Sequence, residues 1–350
     1  MADKIETRKD ISDVVISTRI RFARNLKDYP FPCRMNTEKK CRVAAIIKET
    51  VLEGKNALSG RFKYIQMSEL TQEEAVSLVE RHLVSPEFIS DREGRGLLLL
   101  DDESVSIMIN EEDHIRIQVI RPNMDLDGAY DLADKIDSLF DEQLNFAFND
   151  KLGYLTQCPT NIGTGMRASL MMHLPALKES GSMGKISASL AKLGLVIRGM
   201  FGEGSDPKGS VYQLSNQVTL GISEKEAINN LHDIAMQLVA QERAARTAMA
   251  KNITVLDGIY RSFGILQYAK LISNDECMKL LSNLRFGVEI GIFENIDFDT
   301  INHLMVEVQP ATLMKNIGKK LTAQERDQIR AEVVRTALMQ KKIPANRRLG

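Results

Sequence analysis

The sequence CPTNIGTGMRAS, from Cys158 to Ser169, is the stretch around which the rest of the chain can be organised. A proline and two closely spaced glycines interrupt helices and strands alike, so this stretch predicts a loop. Its open backbone and its arginine, Arg167, suit the approach of an anion, and Cys158 places a thiol at the edge of the loop. We therefore predict an anion-binding site here.

The composition limits the class of protein. The chain has 350 residues, of which 27% are charged and 43% hydrophobic, and a formal net charge of −1. These values are typical of a globular protein of about two domains and argue against a general nucleic-acid binder. No apolar run has the length of a membrane span. The four cysteines form no CxxC pair, so we predict no metal site, no disulfide framework and a cytoplasmic location.

An alternating segment begins near Val14. In VVISTRIRF, Ser17, Arg19 and Arg21 fall on one face of a predicted strand, and Thr18 and Ile20 fall on the other. Neighbouring arginines on one face repel each other unless an anion covers them. The alternative is an ordinary solvated strand face.

A β-hairpin is predicted farther along the chain. Residues 104–110 and 115–121 alternate on either side of EEDH, which would form a four-residue loop. The acids of this loop are Glu111, Glu112 and Asp113. They are either a solvated turn or partners for a cation, which would be Mg²⁺ or a guanidinium.

The remaining periodicities mix helices with short strands as far as residue 250. Helices are predicted over 36–54, 71–84, 128–149 and 223–249, and strands over 97–100, 170–175, 193–197 and 211–220. After Lys251 the pattern is helical apart from Phe286 to Phe293, and Thr322 with Glu325 predicts the cap of a final helix. We therefore place a domain boundary near residue 250.

Two glycine patterns approach nucleotide-binding motifs without satisfying them. Gly163-x-Gly165-x-x-Ala168 lacks the acid expected about 20 residues later, and Gly181 to Lys185 lacks the Walker spacing. Arginines would therefore hold any phosphates, because the guanidinium fork stays charged and offers several donors. Those at predicted strand ends or loops are Arg19, Arg21, Arg116, Arg167 and Arg198.

Four stretches together resemble the signatures of the phosphagen kinase catalytic domain, the creatine and arginine kinase family. They are STRIRFARN, NEEDHIRI, CPTNIGTGMRAS and the RG-xx-GE pattern from Arg198 to Glu203, in the family order. The resemblance implies an α+β fold, with an antiparallel sheet flanked by helices in residues 1–250 (core about 14–245). A smaller, mainly helical C-terminal domain, with a substrate or regulatory role, would occupy residues 251–350.

The resemblance also implies roles for individual residues. Glu112 and Glu203 would flank the guanidinium acceptor, and Cys158 would be a reactive thiol beside it. ATP, with Mg²⁺, would be bound by Ser17, Thr18, Arg19, Ile20, Arg21, His82, Arg116, Arg167, Ala168, Ser169, Arg198 and Gly199.

Departures from the metabolic enzymes narrow the resemblance to the bacterial protein arginine kinases. The chain begins almost directly at the catalytic domain, and helical residues follow it. Arg326, Asp327 and Arg330 match the RDxxRA motif of that group and would form an allosteric phosphoarginine site. The i,i+4 spacing of the two arginines would, taken alone, favour a solvated helix face.

The resemblance further implies a homodimer that phosphorylates protein arginines and does not bind a membrane or nucleic acid directly. Its partners would be a ClpC-type chaperone-protease, a CtsR-type stress repressor and an McsA-type activator. The sequence also allows two other functions, a small-molecule kinase for free arginine and a non-catalytic nucleotide-binding adaptor.

The chemistry of such a kinase demands a base. An arginine side chain is a poor nucleophile because its pKa lies above roughly 12. Two carboxylates, Glu112 and Glu203, could grip its planar fork and accept a proton as the new bond forms.

Overall fold

The computed structural model describes residues 10–53, 60–200 and 208–339. Its strands are β1 (Val15–Arg24), β2 (Phe62–Gln66), β3 (Gly96–Leu100), β4 (Val105–Ile109), β5 (Ile115–Pro122), β6 (Phe148–Asn149), β7 (Gly153–Tyr154), β8 (Met166–His173), β9 (Leu195–Gly199) and β10 (Val211–Asn216). An eight-stranded antiparallel sheet has the order β2-β3-β4-β5-β1-β8-β10-β9, and β6 and β7 form a separate ribbon. The predicted antiparallel sheet is confirmed.

The helices fall into two groups along the chain. The first group is α1 (Thr37–Leu52), α2 (Gln72–Glu80), α3 (Pro86–Ser90), α4 (Leu126–Asp141), α5 (Pro175–Glu179), α6 (Met183–Lys192) and α7 (Glu224–Met249). The second group, which we call the C-terminal helices, is α8 (Ile253–Tyr268), α9 (Asn274–Glu289), α10 (Phe298–Glu307), α11 (Pro310–Ile317) and α12 (Ala323–Met339). Across the described ranges, no helix combines the length and apolar character that crossing a membrane requires.

One face of the sheet is apolar and packs against helices of the first group. Ile20 and Phe22 of the central strand β1 are buried there, together with Ile47 of α1, Ile136 of α4 and Leu231 of α7. Because side chains alternate along a strand, the residues between these apolar positions point to the opposite face. That second face carries the polar side chains.

The register of β1 sets which polar side chains become neighbours. Arg21 lies directly opposite Arg167 of β8 on one side and Gln118 of β5 on the other. Arg19 lies opposite Ser169 of β8. Directly opposed residues have Cβ atoms about 5 Å apart, so strand pairing alone gathers these arginines.

Several element boundaries differ from the sequence predictions. The helix predicted over 71–84 ends at Glu80, because His82 adopts a left-handed φ of 61° that a helix cannot contain. The helix predicted over 128–149 is α4 and ends at Asp141. The last residues of the organising stretch, from Met166, belong to strand β8 rather than to a loop.

The non-helical segment predicted for Phe286 to Phe293 is wrong in its first half, because α9 extends to Glu289, and a turn rather than a strand follows. Its apolar run reflects burial of the helix on most sides and not a strand pattern. The predicted cap of the final helix is confirmed: Thr322 and Glu325 exchange hydrogen bonds immediately before α12.

Buried polar contacts join the C-terminal helices to the sheet. His173, at the end of β8, lies 2.7 Å from Glu289 Oε1 and 2.8 Å from Ser282 Oγ. Arg285 donates to the backbone carbonyls of Ser12 and Asp13 at 2.7 and 2.6 Å. Because these hydrogen bonds form where water is excluded, they fix the C-terminal helices against β8 and the residues that precede β1.

Candidate active site

A cavity of about 1050 Å³ lies over the polar face of the sheet. The residues that were predicted as functional and that line it are Arg19, Arg21, His82, Glu112, Arg116, Cys158, Arg167 and Arg198. Three of the four sequence signatures thus meet in one place together with the start of the fourth. Glu203 falls outside the described residues.

The arginines form a cluster with unsatisfied donors. Burial, followed by the charges of Arg116 and Arg167, lowers the pKa of Arg19 to about 10. Burial and the same kind of repulsion lower the pKa of Arg21 well below its usual value. The buried Nε–H groups of Arg21 and Arg167 have no hydrogen-bond partner. Unpaired donors and mutual repulsion both favour a polyanion, so this cluster fits the phosphates of ATP.

Neutral groups orient Arg19 within the cluster. Its Nη2 donates to Gln213 Oε1, and its Nε lies 3.5 Å from Ser169 Oγ. Gln213 is in turn opposite Arg198 in the pairing of β10 with β9. An amide and a hydroxyl hold the guanidinium in place without neutralising it, so its charge stays available to a ligand.

Part of the predicted ATP-binding set does not reach the cavity. Thr18 Oγ1 donates to the carbonyl of Asn123 at 2.8 Å, and Ile20 and Ala168 are buried in the apolar core. Strand alternation places these three side chains on the face opposite Arg19. As far as the described residues define the cavity lining, it also leaves out Ser17, Ser169 and Gly199.

The hairpin tip presents a bridged pair of carboxylates. Arg116 donates from Nη1 to Glu111 at 2.8 Å and from Nη2 to Glu112 at 3.0 Å. Burial raises the pKa of Glu112 despite the opposing charge of Arg116. Burial alone would also raise the pKa of Glu111, but Arg116, Ser85 and a backbone N–H hold it below its usual value. The solvated-turn alternative is therefore wrong, and the cation is a guanidinium.

Asp113 connects this tip to the cysteine loop, a role that the sequence analysis missed. Its Oδ1 accepts from Asn25 Nδ2 at 2.6 Å and from the backbone N–H of Gln157 at 2.8 Å. Gln157 immediately precedes Cys158, so the carboxylate ties the strand signature, the hairpin and the loop together. The available signal was that Asn25 and Asp113 both lie inside the quoted motifs.

The cysteine loop is held tightly around its glycines. Thr219 Oγ1 donates to the carbonyls of Thr160 and Ile162 at 3.0 and 2.7 Å. Gly163 has a φ of 113°, and a Cβ there would lie 2.1 Å from the carbonyl oxygen of Thr219. Only glycine fits such a backbone. The loop therefore holds Cys158, whose Sγ is 3.0 Å from Thr160 Oγ1, at the cavity wall.

His82 forms another part of the wall. Burial, and secondly the charge of Arg19, lowers its pKa to about 4, so the imidazole is neutral at neutral pH. Gln118 Nε2 donates to the His82 carbonyl at 2.9 Å. The neutral ring lies in the same cavity as the arginine cluster, and its contact with a nucleotide stays a prediction.

The RDxxRA motif lies away from the cavity, and its second arginine is buried. Arg330 is 1% exposed and donates to the carbonyls of Val308 and Ile272, each at 2.9 Å, and to Asp327 at 2.6 Å. Arg326 donates to the carbonyl of Leu321. The solvated-face alternative is wrong for Arg330, because backbone acceptors replace water around it. A phosphoarginine site at this motif stays a prediction.

An arginine cluster for phosphates, a carboxylate pair that already binds a guanidinium and a thiol in one cavity define a class of enzyme. They are the parts required for ATP-dependent phosphoryl transfer to a guanidino group. Residues 42–245 match the family model described as ATP:guanido phosphotransferase, C-terminal catalytic domain. The chain belongs to the ATP:guanido phosphotransferase family and is an ATP-dependent phosphotransferase.

More specific similarities cover nearly the whole chain. Residues 252–348 match the model of the protein-arginine kinase McsB C-terminal domain. The protein-arginine kinase of Halothermothrix orenii is 47% identical over 329 residues, 93% of each protein. That of Caldanaerobacter subterraneus subsp. tengcongensis is 46% identical over 94% of this chain and 98% of its own length.

Solved structures of similar fold cover about two thirds of the chain. The duplicated taurocyamine kinase of Schistosoma mansoni, bound to transition-state analogue components, gives a TM-score of 0.59 at 27% identity. The match covers 68% of this chain and 35% of that one. Lombricine kinase gives a TM-score of 0.59 at 25% identity and covers 68% of each chain.

Proposed function

We propose that this protein is a protein arginine kinase, which transfers the γ-phosphoryl group of ATP to arginine side chains of proteins. The observation that carries the proposal is the hydrogen bond from Arg116 Nη2 to Glu112, in which a carboxylate binds a guanidinium beside the arginine cluster. The curated relatives support a protein-bound rather than a free acceptor, because their names specify it and they align over both parts of the chain.

Glu112 is the group that we assign as the base. The acceptor nitrogen attacks the γ-phosphorus, the N–P bond forms as the bond to ADP breaks, and Glu112 takes the proton that nitrogen releases. The raised pKa of Glu112 makes it a stronger proton acceptor than an ordinary carboxylate. Glu203 remains our second carboxylate, and Cys158 would add a polar contact to the acceptor.

The arginines position the phosphates and compensate their charge. The fork-shaped guanidinium groups that offer donors to phosphate oxygens in this cavity are those of Arg19, Arg21, Arg116, Arg167 and Arg198. ATP enters such sites with Mg²⁺ on its phosphates, and the ion lowers the charge that the transferred group presents to the nucleophile. Alignment of the two reactants in this cavity could itself remove about 7–11 kcal/mol from the barrier.

We also propose an organisation into a catalytic domain, residues 1–250, and a C-terminal domain, residues 251–350.

A homodimer through α8 is supported by the exposed apolar side chains of Ile253, Tyr260 and Tyr268, which are 76%, 55% and 75% accessible. In analytical ultracentrifugation we expect the parent protein to sediment as a dimer and the double variant Tyr260→Lys/Tyr268→Lys to sediment as a monomer. A parent that sediments as a monomer would contradict it.

The cellular role that we propose is the marking of proteins for a ClpC-type chaperone-protease and the control of a CtsR-type stress repressor, with an McsA-type activator. Arg326, Asp327 and Arg330 would sense phosphoarginine. A cytoplasmic location is supported by four cysteines that are all free thiols.

The first test is ³¹P NMR of the protein with Mg·ATP at neutral to mildly basic pH. One sample contains free arginine, a second a loosely folded arginine-containing protein, and a third the same protein with its arginines changed to lysine. An acid-labile P–N signal in the second sample alone is expected. A signal with free arginine would favour the small-molecule kinase, and ATP binding without any product would favour the adaptor.

A further inference from the structure

A carboxylate of the catalytic part caps a helix of the C-terminal part. Glu80, the last residue of α2, accepts from the backbone N–H of Ala311 at 3.0 Å and from that of Thr312 at 2.7 Å. It also accepts from Thr312 Oγ1 at 2.9 Å. These N–H groups belong to the first turn of α11, where a helix has unpaired donors and a partial positive charge. One side chain therefore satisfies several groups across the junction.

The first turn of α11 is fixed from its other side as well. Arg330 donates through Nε to the carbonyl of Val308 at 2.9 Å, just before α11 begins. Asn274, at the start of α9, donates to Gln309 Oε1 at 3.2 Å. The N-terminus of α11 is thus a rigid point to which Glu80 can attach α2.

The other end of this connection reaches the active-site cavity. Only two residues after Glu80, His82 turns the chain with a φ of 61° and places its ring in the cavity wall. The His82 N–H donates to the carbonyl of Val79 at 2.9 Å, which closes the end of α2. A left-handed histidine costs energy and needs fixed neighbours on both sides. Gln118 supplies one of these supports from the sheet.

We propose that Glu80 is the other support and acts as a positioning residue for nucleotide binding. By capping α11, it holds the end of α2, and with it His82, at the distance from Arg19 that a bound nucleotide requires. The C-terminal helices would thereby set the affinity for ATP without contacting it. This inference rests on the proposed function, in that it takes the cavity to be the ATP site.

Glu73 provides a matched control on the same helix. It pairs with Lys320 at 2.7 Å, so it also joins α2 to the C-terminal part, but it lies in the first turn of α2, far along the chain from His82. The Lys320 side chain is 83% exposed. Loss of this pair should loosen the junction slightly without moving the end of α2.

The test measures the Kd for Mg·ADP by calorimetry, which requires no turnover, in Glu80→Ala, Glu80→Gln and Glu73→Ala. Loss of the cap in Glu80→Ala should weaken binding roughly tenfold, and Glu73→Ala should change it by less than about twofold. Glu80→Gln keeps the shape and one acceptor oxygen, so it should lie between these two. The KM for ATP should rise in parallel, whereas the KM for the acceptor protein should stay unchanged.

Wild-type affinity for Mg·ADP in folded Glu80→Ala would overturn the proposal, as would an equal loss in Glu73→Ala. If Glu80→Ala does not fold, the Kd of Glu80→Gln for Mg·ADP is compared with that of Glu73→Ala instead. A wild type that binds Mg·ADP but makes no P–N product would refute the proposed function and leave the binding test intact.

A double-mutant cycle separates positioning from general loosening. Arg330→Met should weaken Mg·ADP binding when Glu80 is present, because it frees the carbonyl of Val308 and the start of α11. In the Glu80→Ala background the same change should have little further effect, since the connection from α11 to the end of α2 through Glu80 is already absent. Fully additive losses would contradict a connection that runs through α11.

Discussion

Replacement of Glu112 by glutamine should separate catalysis from nucleotide binding. The amide keeps the size of the side chain and one oxygen that can accept from Arg116, but it cannot take a proton from the acceptor nitrogen. Glu111 remains paired with Arg116 at 2.8 Å, so the hairpin tip should keep its shape. The expected defect is therefore in phosphoryl transfer.

The magnitude follows from the role assigned to the carboxylate. A positioned general base contributes about 10²- to 10⁴-fold, which corresponds to about 3–5 kcal/mol of barrier. Loss of the Arg116–Glu112 pair should lower the free energy of unfolding by less than about 1 kcal/mol, because the Glu112 side chain is 35% exposed and its charge is screened. We expect kcat to fall by those factors and the Kd for Mg·ADP to stay within about threefold.

The assay combines ³¹P NMR or phosphoarginine blotting for kcat with calorimetry for Mg·ADP. The wild-type rate should also fall as the pH is lowered, because burial raises the pKa of Glu112 and a protonated carboxyl cannot act as a base. Glu112→Asp, which keeps the charge but shortens the reach, serves as the control and should retain part of the activity. Equal loss of kcat and Mg·ADP binding in Glu112→Gln would refute the assignment and make Glu112 structural.

Three further outcomes test other parts of the structure. In a background with Cys33 and Cys41 changed to serine, alkylation of Cys158 should abolish activity and be slowed by ATP; modified protein with full activity would contradict a role at the acceptor. Arg330→Met should lower the free energy of unfolding in urea by about 2–4 kcal/mol, because it leaves buried carbonyls unpaired. Burial lowers the pKa of His114 to about 4, so the unfolded state takes up its proton first as the pH falls from roughly 6.5. Stability should then drop by up to about 1.4 kcal/mol per pH unit for this residue, and an NMR titration of His114 with a midpoint near 6.5 would contradict it.

The sequence identifies the faces of single strands and one hairpin more fully than it identifies the order of strands in the sheet. Alternation in β1 correctly separates Arg19 and Arg21 from Ile20, and the pattern around EEDH correctly predicts the hairpin. Strand order is less accessible, because the pairing of Arg21 with Arg167 joins segments far apart in the chain. Local periodicity cannot predict such a contact. Only the resemblance of the motifs to those of a known family indicated that these segments lie together.

The failures have a common physical cause. Phe286 to Phe293 and Arg330 were interpreted from local pattern, yet both are governed by tertiary packing. In α9 the neighbours bury most sides of the helix, which erases the amphipathic period, and Arg330 finds backbone carbonyls instead of water. Likewise, Glu80 lies in an ordinary helix end, and only the folded chain brings α11 to it.

In the proposed mechanism, Glu111 and Glu112 divide two tasks that a single carboxylate could not perform together. Arg116 must stay in place to meet a phosphate, and the pair with Glu111 secures it, because their side chains are only 13% and 4% exposed. The pair with Glu112 is more open, so an incoming guanidinium can replace Arg116 there at little cost. Glu111 is more deeply buried, so losing its direct ion pair with Arg116 would carry a larger desolvation cost. Under this mechanism, two adjacent acids of unequal burial would let Glu112 turn to the acceptor while Glu111 keeps Arg116 in place.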